Sequence, residues 1–365
     1  MPKRDELVQK LNELKIRYTA AKQEHVFDKI HELNEEELAD FINDLEVTDP
    51  KELNNWYQRT VGKFVIPHMI CSFFLSDSLK TSSSEQLNLQ PFPDVSHIDS
   101  DSSDRARWQR IGHEKIAEGK VAVLLLAGGQ GTRLGTKNPK GMFQIGLHSE
   151  SSLFQLQAQR ILKLQQLSGG KGVIPWYIMT SEATRPITVS YFEQHCYFGL
   201  EKENVFFFEQ DVIPCLTPEG KIIMESKSKI SRAPNGNGGV YSALLKHGAL
   251  NDMKKRGIEM VYIYGVDNVL IKMADPIFAG YCFDKDIDCA AKIVAKAYPE
   301  EPVGVVCLNN NKACVIEYSE IDKELATKID PNTGKLYYNT AHVCMNMVSY
   351  NFLKKFCESY LDQLP

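Results

Sequence analysis

Apolar residues recur at helical spacing through the first eighty positions. Leu7, Leu11, Leu14 and Ile16 form one stripe, and Leu33, Leu38, Phe41, Ile42 and Leu45 form a second. Val47-Thr48-Asp49-Pro50 places an N-cap residue directly before a proline, which separates two helices. The pattern stops between Thr81 and Asp104. There Ser82-Ser83-Ser84 and Asp99-Ser100-Asp101-Ser102-Ser103-Asp104 leave too little apolar surface to offset the cost of ordering, so the stretch reads as a linker.

From Arg105 the texture changes. Short, continuous apolar runs at Val121–Leu126, Val173–Met179, Val205–Phe208, Met260–Tyr264 and Ile287–Val294 alternate with helical patterns. The helical patterns are Leu153–Leu167, Pro186–Cys196, Tyr241–Arg256 and Pro276–Phe283. Runs of this kind are strands buried on both faces. Their alternation with helices predicts an α/β fold: a mostly parallel, doubly wound sheet with helices on both faces and right-handed crossovers. Val303–Leu308, Ala313–Tyr318 and Leu336–Val348 read as strands of an added, partly antiparallel layer. Lys221–Lys229, where lysines alternate with apolar residues, reads as an exposed strand edge. The chain thus divides into a helical N-terminal region with its linker, 1–104, and an α/β domain, 105–365.

Composition narrows the function classes. With 42 basic and 47 acidic residues the net charge is −5, so no general basic field exists for nucleic acid or an anionic membrane surface. The longest apolar runs, Val121–Ala127 and Phe64–Leu75, fall short of the ~20 residues a bilayer requires. The nine cysteines include no CxxC pair and lie mostly in apolar runs. That predicts reduced thiols in a cytoplasmic protein rather than a zinc site or a disulfide framework. His25, His31 and His113 fall on helical patterns as solvated positions, and the aromatic stripe Tyr191–Phe198 reads as core.

The chemistry concentrates just after the first apolar strand. Ala127-Gly128-Gly129-Gln130-Gly131-Thr132-Arg133-Leu134-Gly135 is followed by Asn138-Pro139-Lys140-Gly141. Clustered glycines let backbone approach a ligand closely, and ligands of open α/β sheets bind beyond the carboxyl ends of strands. Arg133 and Lys140 add a bidentate fork and a point charge suited to phosphate. The loop is not a Walker A sequence, which needs Gly-Lys-Ser/Thr. It is not a dinucleotide fingerprint either, since no partner carboxylate follows about twenty residues later. Asp267, past the strand Met260–Tyr264, suits either a magnesium ligand or the cap of a turn. Asn235-Gly236-Asn237-Gly238-Gly239 suits either a ligand loop or an ordinary turn with an N-cap. Glu317 and Tyr318 suit either ligand contact or simple strand alternation.

Leu126–Gly135 with Pro139-Lys140-Gly141 resembles the signature of sugar-nucleotide pyrophosphorylases. Further blocks resemble the eukaryotic UDP-N-acetylhexosamine pyrophosphorylases: Pro175–Ser181, Ala233–Gly239, Val266-Asp267-Asn268, Glu301–Cys307 and Glu317–Ile321. UDP-glucose pyrophosphorylases resemble the chain less. The resemblance covers 105–365 strongly and the N-terminal helices loosely. It implies a nucleotidyltransferase fold and a uridylyltransferase reaction, in which UTP and an N-acetylhexosamine 1-phosphate give a UDP-sugar and pyrophosphate. The alternative is a family member that binds UTP or UDP-sugar without efficient turnover.

A sugar phosphate is already an anionic nucleophile, so the work is charge neutralisation and positioning rather than base catalysis. By resemblance, Arg133 and Lys140 are catalytic, and Asp267 holds Mg²⁺, for which Mn²⁺ can substitute. Leu126, Ala127, Gly128 and Gly129 present backbone to uracil, Gln210 reads its edge and Gly236 approaches it. Asn237, Glu317 and Tyr318 contact the sugar. Two departures stand out. Asn339-Thr340-Ala341-His342-Val343 lies where the family pattern reads Asn-Ala-Gly-Asn-Ile, so His342 replaces a sugar-contacting Asn. The family also continues past Pro365 with a phosphate-binding lysine and a C-terminal domain expected to be absent from this chain.

Overall fold

A computed structural model of the 365-residue chain describes residues 4–61, 88–93, 95–98, 103–131, 134–318 and 320–361. The helical reading of 62–80, the apolar run Phe64–Leu75, and Arg133 lie outside the described residues. In chain order the elements begin with helices α1 (Arg4–Ala20), α2 (Glu35–Glu46) and α3 (Pro50–Val61). Then come β1 (Leu89–Pro91), α4 (Ser103–Ala117), β2 (Val121–Leu126), α5 (Leu153–Leu167), β3 (Trp176–Thr180), α6 (Arg185–Gln194) and β4 (Val205–Glu209). Four short strands follow: β5 (Val212–Pro214), β6 (Met224–Ser226), β7 (Lys229–Ile230) and β8 (Arg232–Pro234). The remainder is α7 (Val240–Lys246), α8 (Ala249–Lys255), β9 (Met260–Gly265), α9 (Pro276–Asp284), β10 (Cys289–Ala295), β11 (Val305–Asn309), β12 (Lys312–Ile316), α10 (Lys323–Thr327), β13 (Thr340–Ser349) and α11 (Tyr350–Ser359).

The chain forms two units, and the division differs from a boundary at 104/105: residues 212–235 group with the N-terminal helices. The cause is specific pairing. Asp44 on α2 accepts from Ile230 N at 2.7 Å and from Arg232 Nη2 at 2.8 Å. Gln23 donates to Gly220 O at 2.7 Å and accepts from Ile222 N at 3.0 Å. Ile222 and Ile230 then join Leu14, Tyr18, Phe41, Ile42 and Leu45 in one core. The lysine-rich stretch 221–229 is exposed at Ile223, Glu225, Ser226 and Lys229, while Ile222 anchors it in this core and Lys227 pairs with Glu37 at 2.9 Å. Ile16, expected on the first apolar stripe, is 73% exposed, and Tyr18, four residues from Leu14, takes the buried position. Asp49 caps α3 by accepting from Lys51 N and Glu52 N, with Pro50 at the first helical position.

The larger unit is the expected α/β architecture. β9, β2, β3 and β4 form its parallel centre, and β13 pairs antiparallel with β9. Side chains alternate to opposite faces, and both faces are buried. Val121, Val123 and Leu125 of β2 meet Ile116, Phe154, Ile161 and Phe278 from the helices α4, α5 and α9. Ala122 and Leu124 meet Leu244, Met253 and Leu353 from α7, α8 and α11. Two-sided burial is why these strands read as unbroken apolar runs.

Three expectations change. The C-terminal strands are not a separate layer: β11, β12, β13 and β10 continue the same sheet in antiparallel fashion, nine strands among the described residues. Within the expected linker, Leu89–Pro91 pairs with Asn309, Leu308 and Cys307 as an edge strand. The helical pattern Tyr241–Arg256 is two helices, because Gly248 at φ +73° interrupts it. α4 and α9 approach so closely that a Cβ on Gly280 would lie 1.8 Å from Trp108 O. Among the described residues no helix is long and apolar enough to cross a membrane.

Candidate functional site

The candidate residues cluster by topology. β9, β2, β3 and β4 are adjacent and parallel, so their carboxyl ends at Gly265, Leu126, Thr180 and Glu209 share one edge of the sheet. Directly beyond those ends stand Asp267, the glycine-rich loop, Ser181 and Gln210. That edge is where open α/β sheets bind ligands.

The glycine-rich loop folds on itself. Gly131 N donates to Asn138 O at 2.9 Å, and Gln130 bridges Pro139. This closure brings Lys140 back beside Gly129, where a Cβ would lie 3.5 Å from Lys140 Cε. Lys140 Nζ reaches Asp267 Oδ2 at 3.0 Å, with the carboxylate side chain 68% exposed. The turn after β9 is capped by Asn268, whose Oδ1 accepts from Leu270 N at 3.1 Å. Asp267 is thereby free of capping duty and faces Lys140 and solvent.

Gly128 is held from two sides. Ser181 Oγ donates to its carbonyl at 2.9 Å, and Ser181 N and Oγ both contact Thr184 Oγ1. On the other side lies the Gln210 amide, so close that a Cβ on Gly128 would sit 2.1 Å from Nε2. A side chain there would have to push the Gln210 amide aside. Gln210 is 7% exposed, and its Oε1 is buried without a hydrogen-bond partner. An unpartnered buried amide oxygen costs about 1–3 kcal/mol, so its retention beside a ligand loop points to an external donor.

Asn237–Gly239 form a single 3-10 turn before α7, and Gly236 at φ +70°, ψ −169° occupies backbone space that side chains avoid. Leu126 and Asn237 line a cavity of about 720 Å³ together with His342, Cys344 and Asn346. Glu317 and Tyr318 do not line it. They follow the end of β12, all of whose residues from Ala313 to Ile316 are buried, so the expected alternation is absent there. Glu317 lies beside Gly304 instead: a Cβ there would be 3.4 Å from Glu317 Oε1, ordinary contact distance.

A resident metal ion would have little protein to hold it. Among the described residues no group of three His, Cys, Asp or Glu side chains could cage one. A single exposed carboxylate does fit Mg²⁺, which commonly takes one or two carboxylates and completes its shell with phosphate and water.

Sequence reasoning missed three residues. Ser181 carries a legible signal, a small polar residue ending a buried strand at the ligand-binding edge. Thr184, three residues on, orients it. Asn346 carries none, because its position depends on an irregularity in β13.

Comparison with known proteins supplies the family. The UTP–glucose-1-phosphate uridylyltransferase family model matches residues 70–362. A relative from Dictyostelium discoideum, "Probable UDP-N-acetylglucosamine pyrophosphorylase", is 46% identical over 354 residues, covering 94% of this chain and 69% of its own. "UDP-N-acetylhexosamine pyrophosphorylase-like protein 1" of Mus musculus is 50% identical over 272 residues, covering 73% of this chain and 54% of its own. The crystal structure of the uridine diphosphate N-acetylglucosamine pyrophosphorylase of Trypanosoma brucei in complex with inhibitor superposes with a TM-score of 0.76. It is 31% identical and covers 94% of this chain and 67% of its own. The chain therefore spans between about half and about two thirds of the length of the relatives it matches.

Proposed function

Since the chain belongs to the UTP–glucose-1-phosphate uridylyltransferase family, in its UDP-N-acetylhexosamine pyrophosphorylase branch, we propose that it is a uridylyltransferase acting on UTP and an N-acetylhexosamine 1-phosphate. An oxygen of the sugar phosphate attacks the α-phosphorus of UTP, the bond to the bridging oxygen breaks, and pyrophosphate leaves. The products are a UDP-N-acetylhexosamine and pyrophosphate.

The observation that carries this reading is the buried, unpartnered Gln210 amide packed on Gly128 at the strand edge. Uracil presents an N–H donor beside a carbonyl acceptor, and a side-chain amide complements that edge. Backbone at Leu126–Gly129 lies on the same edge. Lys140 places positive charge where the triphosphate would lie, and Arg133 belongs to the same loop. Charge neutralisation is the main requirement when two polyanions meet. Lys140 must leave Asp267 to meet phosphate. Mg²⁺, when bound, would supply further neutralisation of the triphosphate, with Asp267 as its protein ligand. No general base is required, and the protein's part is to fix the base, screen charge and align the sugar phosphate.

Pyrophosphate release from UTP, N-acetylglucosamine 1-phosphate and Mg²⁺, measured alongside UTP calorimetry, tests the reading. Turnover lost in Asp267→Ala supports it. UTP binding without turnover in the wild-type chain identifies a nucleotide-binding family member instead. Absence of UTP binding refutes both.

A further inference from the structure

Two cysteines face each other across the β11–β12 hairpin. Asn310 at φ +49° and Asn311 at φ +60° make a two-residue turn of the mirror-image kind that suits hairpins. The turn fixes the register, and Cys307 of β11 stands directly opposite Cys314 of β12. Opposed residues alternate between hydrogen-bonded and non-hydrogen-bonded pairs. Asn309 and Lys312 flank the turn, so Cys307 and Cys314, two positions further on, fall on a hydrogen-bonded pair. The Cα atoms of such a pair lie about 5.5 Å apart, within the separation of about 4.4–6.8 Å that a disulfide spans. The two Sγ atoms are 3.4 Å apart. A disulfide can therefore close here with little movement of the backbone.

The surroundings suit a thiol pair that opens and closes. Both cysteines are buried in a small core with Val305, Ile316 and Tyr338. Val306, Ala313 and Val315 of the same strands point the other way and line the cavity. Among the described residues β12 pairs with β11 alone, and Ile321, Leu325 and Tyr337 lie against the small core. An outer strand held by one ladder opens locally at less cost than the centre of a sheet, which gives a small oxidant access. A hydrogen bond from Cys307 holds the Cys314 thiol below its ordinary 9.0, against the opposing effect of burial. That favours the thiolate, the form that reacts.

We propose that Cys307 and Cys314 form a reversible thiol-oxidation site, closed to a disulfide by a hydroperoxide, which ties β12 to β11 and stiffens that wall of the cavity. The Cys314 thiolate attacks hydrogen peroxide and the O–O bond breaks. Cys314 becomes a sulfenic acid, and the departing hydroxide takes up the proton that the thiol released. The Cys307 sulfur then attacks the Cys314 sulfur, the S–O bond breaks, and a second water leaves with the Cys307 proton. Two thiols lose two electrons and two protons, and one peroxide becomes two waters. A small dithiol reverses the change by thiol–disulfide exchange.

Peptide mapping of the 365-residue chain tests this. The reduced protein is treated with hydrogen peroxide, alkylated, digested and analysed by mass spectrometry, with the exposed Cys196 as internal reference. The expected product is a cross-link joining Cys307 to Cys314, lighter by two hydrogens and cleaved by dithiothreitol. Hydrogen exchange of the amides in 305–316 should slow several-fold in the cross-linked form. Cys307→Ala should stop at a Cys314 sulfenic acid that dimedone traps. Oxidation of Cys196 with the pair left alkylatable after unfolding overturns the proposal. So does oxidation of either cysteine without a cross-link in the wild type, or a cross-link that leaves exchange unchanged. These readings come from the wild-type chain, so they decide the matter even if the variant fails to fold.

Discussion

Replacing Gly128 by alanine should separate nucleotide recognition from stability. The added Cβ would lie 2.1 Å from Gln210 Nε2 and 2.9 Å from Cδ. Those atoms are the far end of a flexible side chain, so the clash is relieved by rotating Gln210 away. An off-rotamer side chain costs about 0.5–1.5 kcal/mol, and the Gln210 Oε1 has no hydrogen bond to lose. Folding should therefore weaken by only about 0.5–1.5 kcal/mol. Binding should suffer more: a displaced amide forfeits the base-reading hydrogen bonds, worth about 1–3 kcal/mol, or roughly tenfold to a hundredfold in UTP affinity. Gly280→Ala is the control. Its Cβ would meet Trp108 O at 1.8 Å, with Gly112 N at 2.9 Å, and neither backbone atom can rotate away. That change should overpack the α4–α9 contact at a cost of about 1–3 kcal/mol or more, and lower the melting temperature by several degrees. Thermal unfolding and UTP calorimetry on both variants give a crossed result: weak binding with near-normal melting for Gly128→Ala, and depressed melting for Gly280→Ala. Wild-type UTP affinity in Gly128→Ala would refute the base-reading role of Gln210. Melting depressed as far as in Gly280→Ala would refute the claim that Gln210 yields.

Asp267→Ala, Lys140→Ala and Arg133→Ala should each abolish pyrophosphate release and leave far-ultraviolet circular dichroism unchanged; near-normal turnover in any of them removes that residue from the site. Asp44→Ala should lower the urea midpoint, because it strips the acceptor from Ile230 N and leaves the partly buried Arg232 unpaired, at a cost of about 3 kcal/mol; an unchanged midpoint would show that solvent replaces the carboxylate. Burial pushes the Tyr18 hydroxyl up to about 12, against an ordinary value of 10.0. The folded state thus holds this proton more tightly than the unfolded state, so the contribution is complete below pH 10 and disappears as pH rises towards about 12. A rise of that size corresponds to about 2–3 kcal/mol. Tyr18→Phe should flatten that part of the alkaline stability curve, and an unchanged slope would show that Tyr18 does not titrate on unfolding.

Much of this architecture was legible because burial on both faces leaves a simple trace. β2 reads as an unbroken apolar run because Val121 and Ala122 face different helices and neither meets water. The strand edge that carries the candidate residues was legible for a related reason. A strand followed at once by clustered glycines marks the place where backbone must approach something closely, and at Gly128 that neighbour is the Gln210 amide. Less legible were features set by long-range partners. Residues 212–235 leave the α/β unit because Asp44 and Gln23, nearly two hundred residues earlier, hold Ile230, Arg232, Gly220 and Ile222. Local patterning contains no record of such pairs. The same holds for Leu89–Pro91, whose strand conformation is imposed by β11 rather than by its own propensity.

The candidate site divides along this same line. The part that follows β2 is built from backbone and from glycine, so it is written in consecutive residues. The His342–Asn346 contact on the cavity wall is built from side chains that meet only because β13 gains residues relative to β10. A period of two would place His342 and Asn346 on one face but never in contact, so no reading of spacing could have paired them. The bulge also bears on Gly265 and Asn268, on either side of Asp267. A substitution that straightened β13 would therefore disturb the cavity wall at His342 and the Asp267 turn together while leaving Gly128 and Gln210 in place. The cavity wall and the placement of the Asp267 carboxylate are coupled by one local deformation, whereas the Gly128–Gln210 contact depends on a different pair of strands.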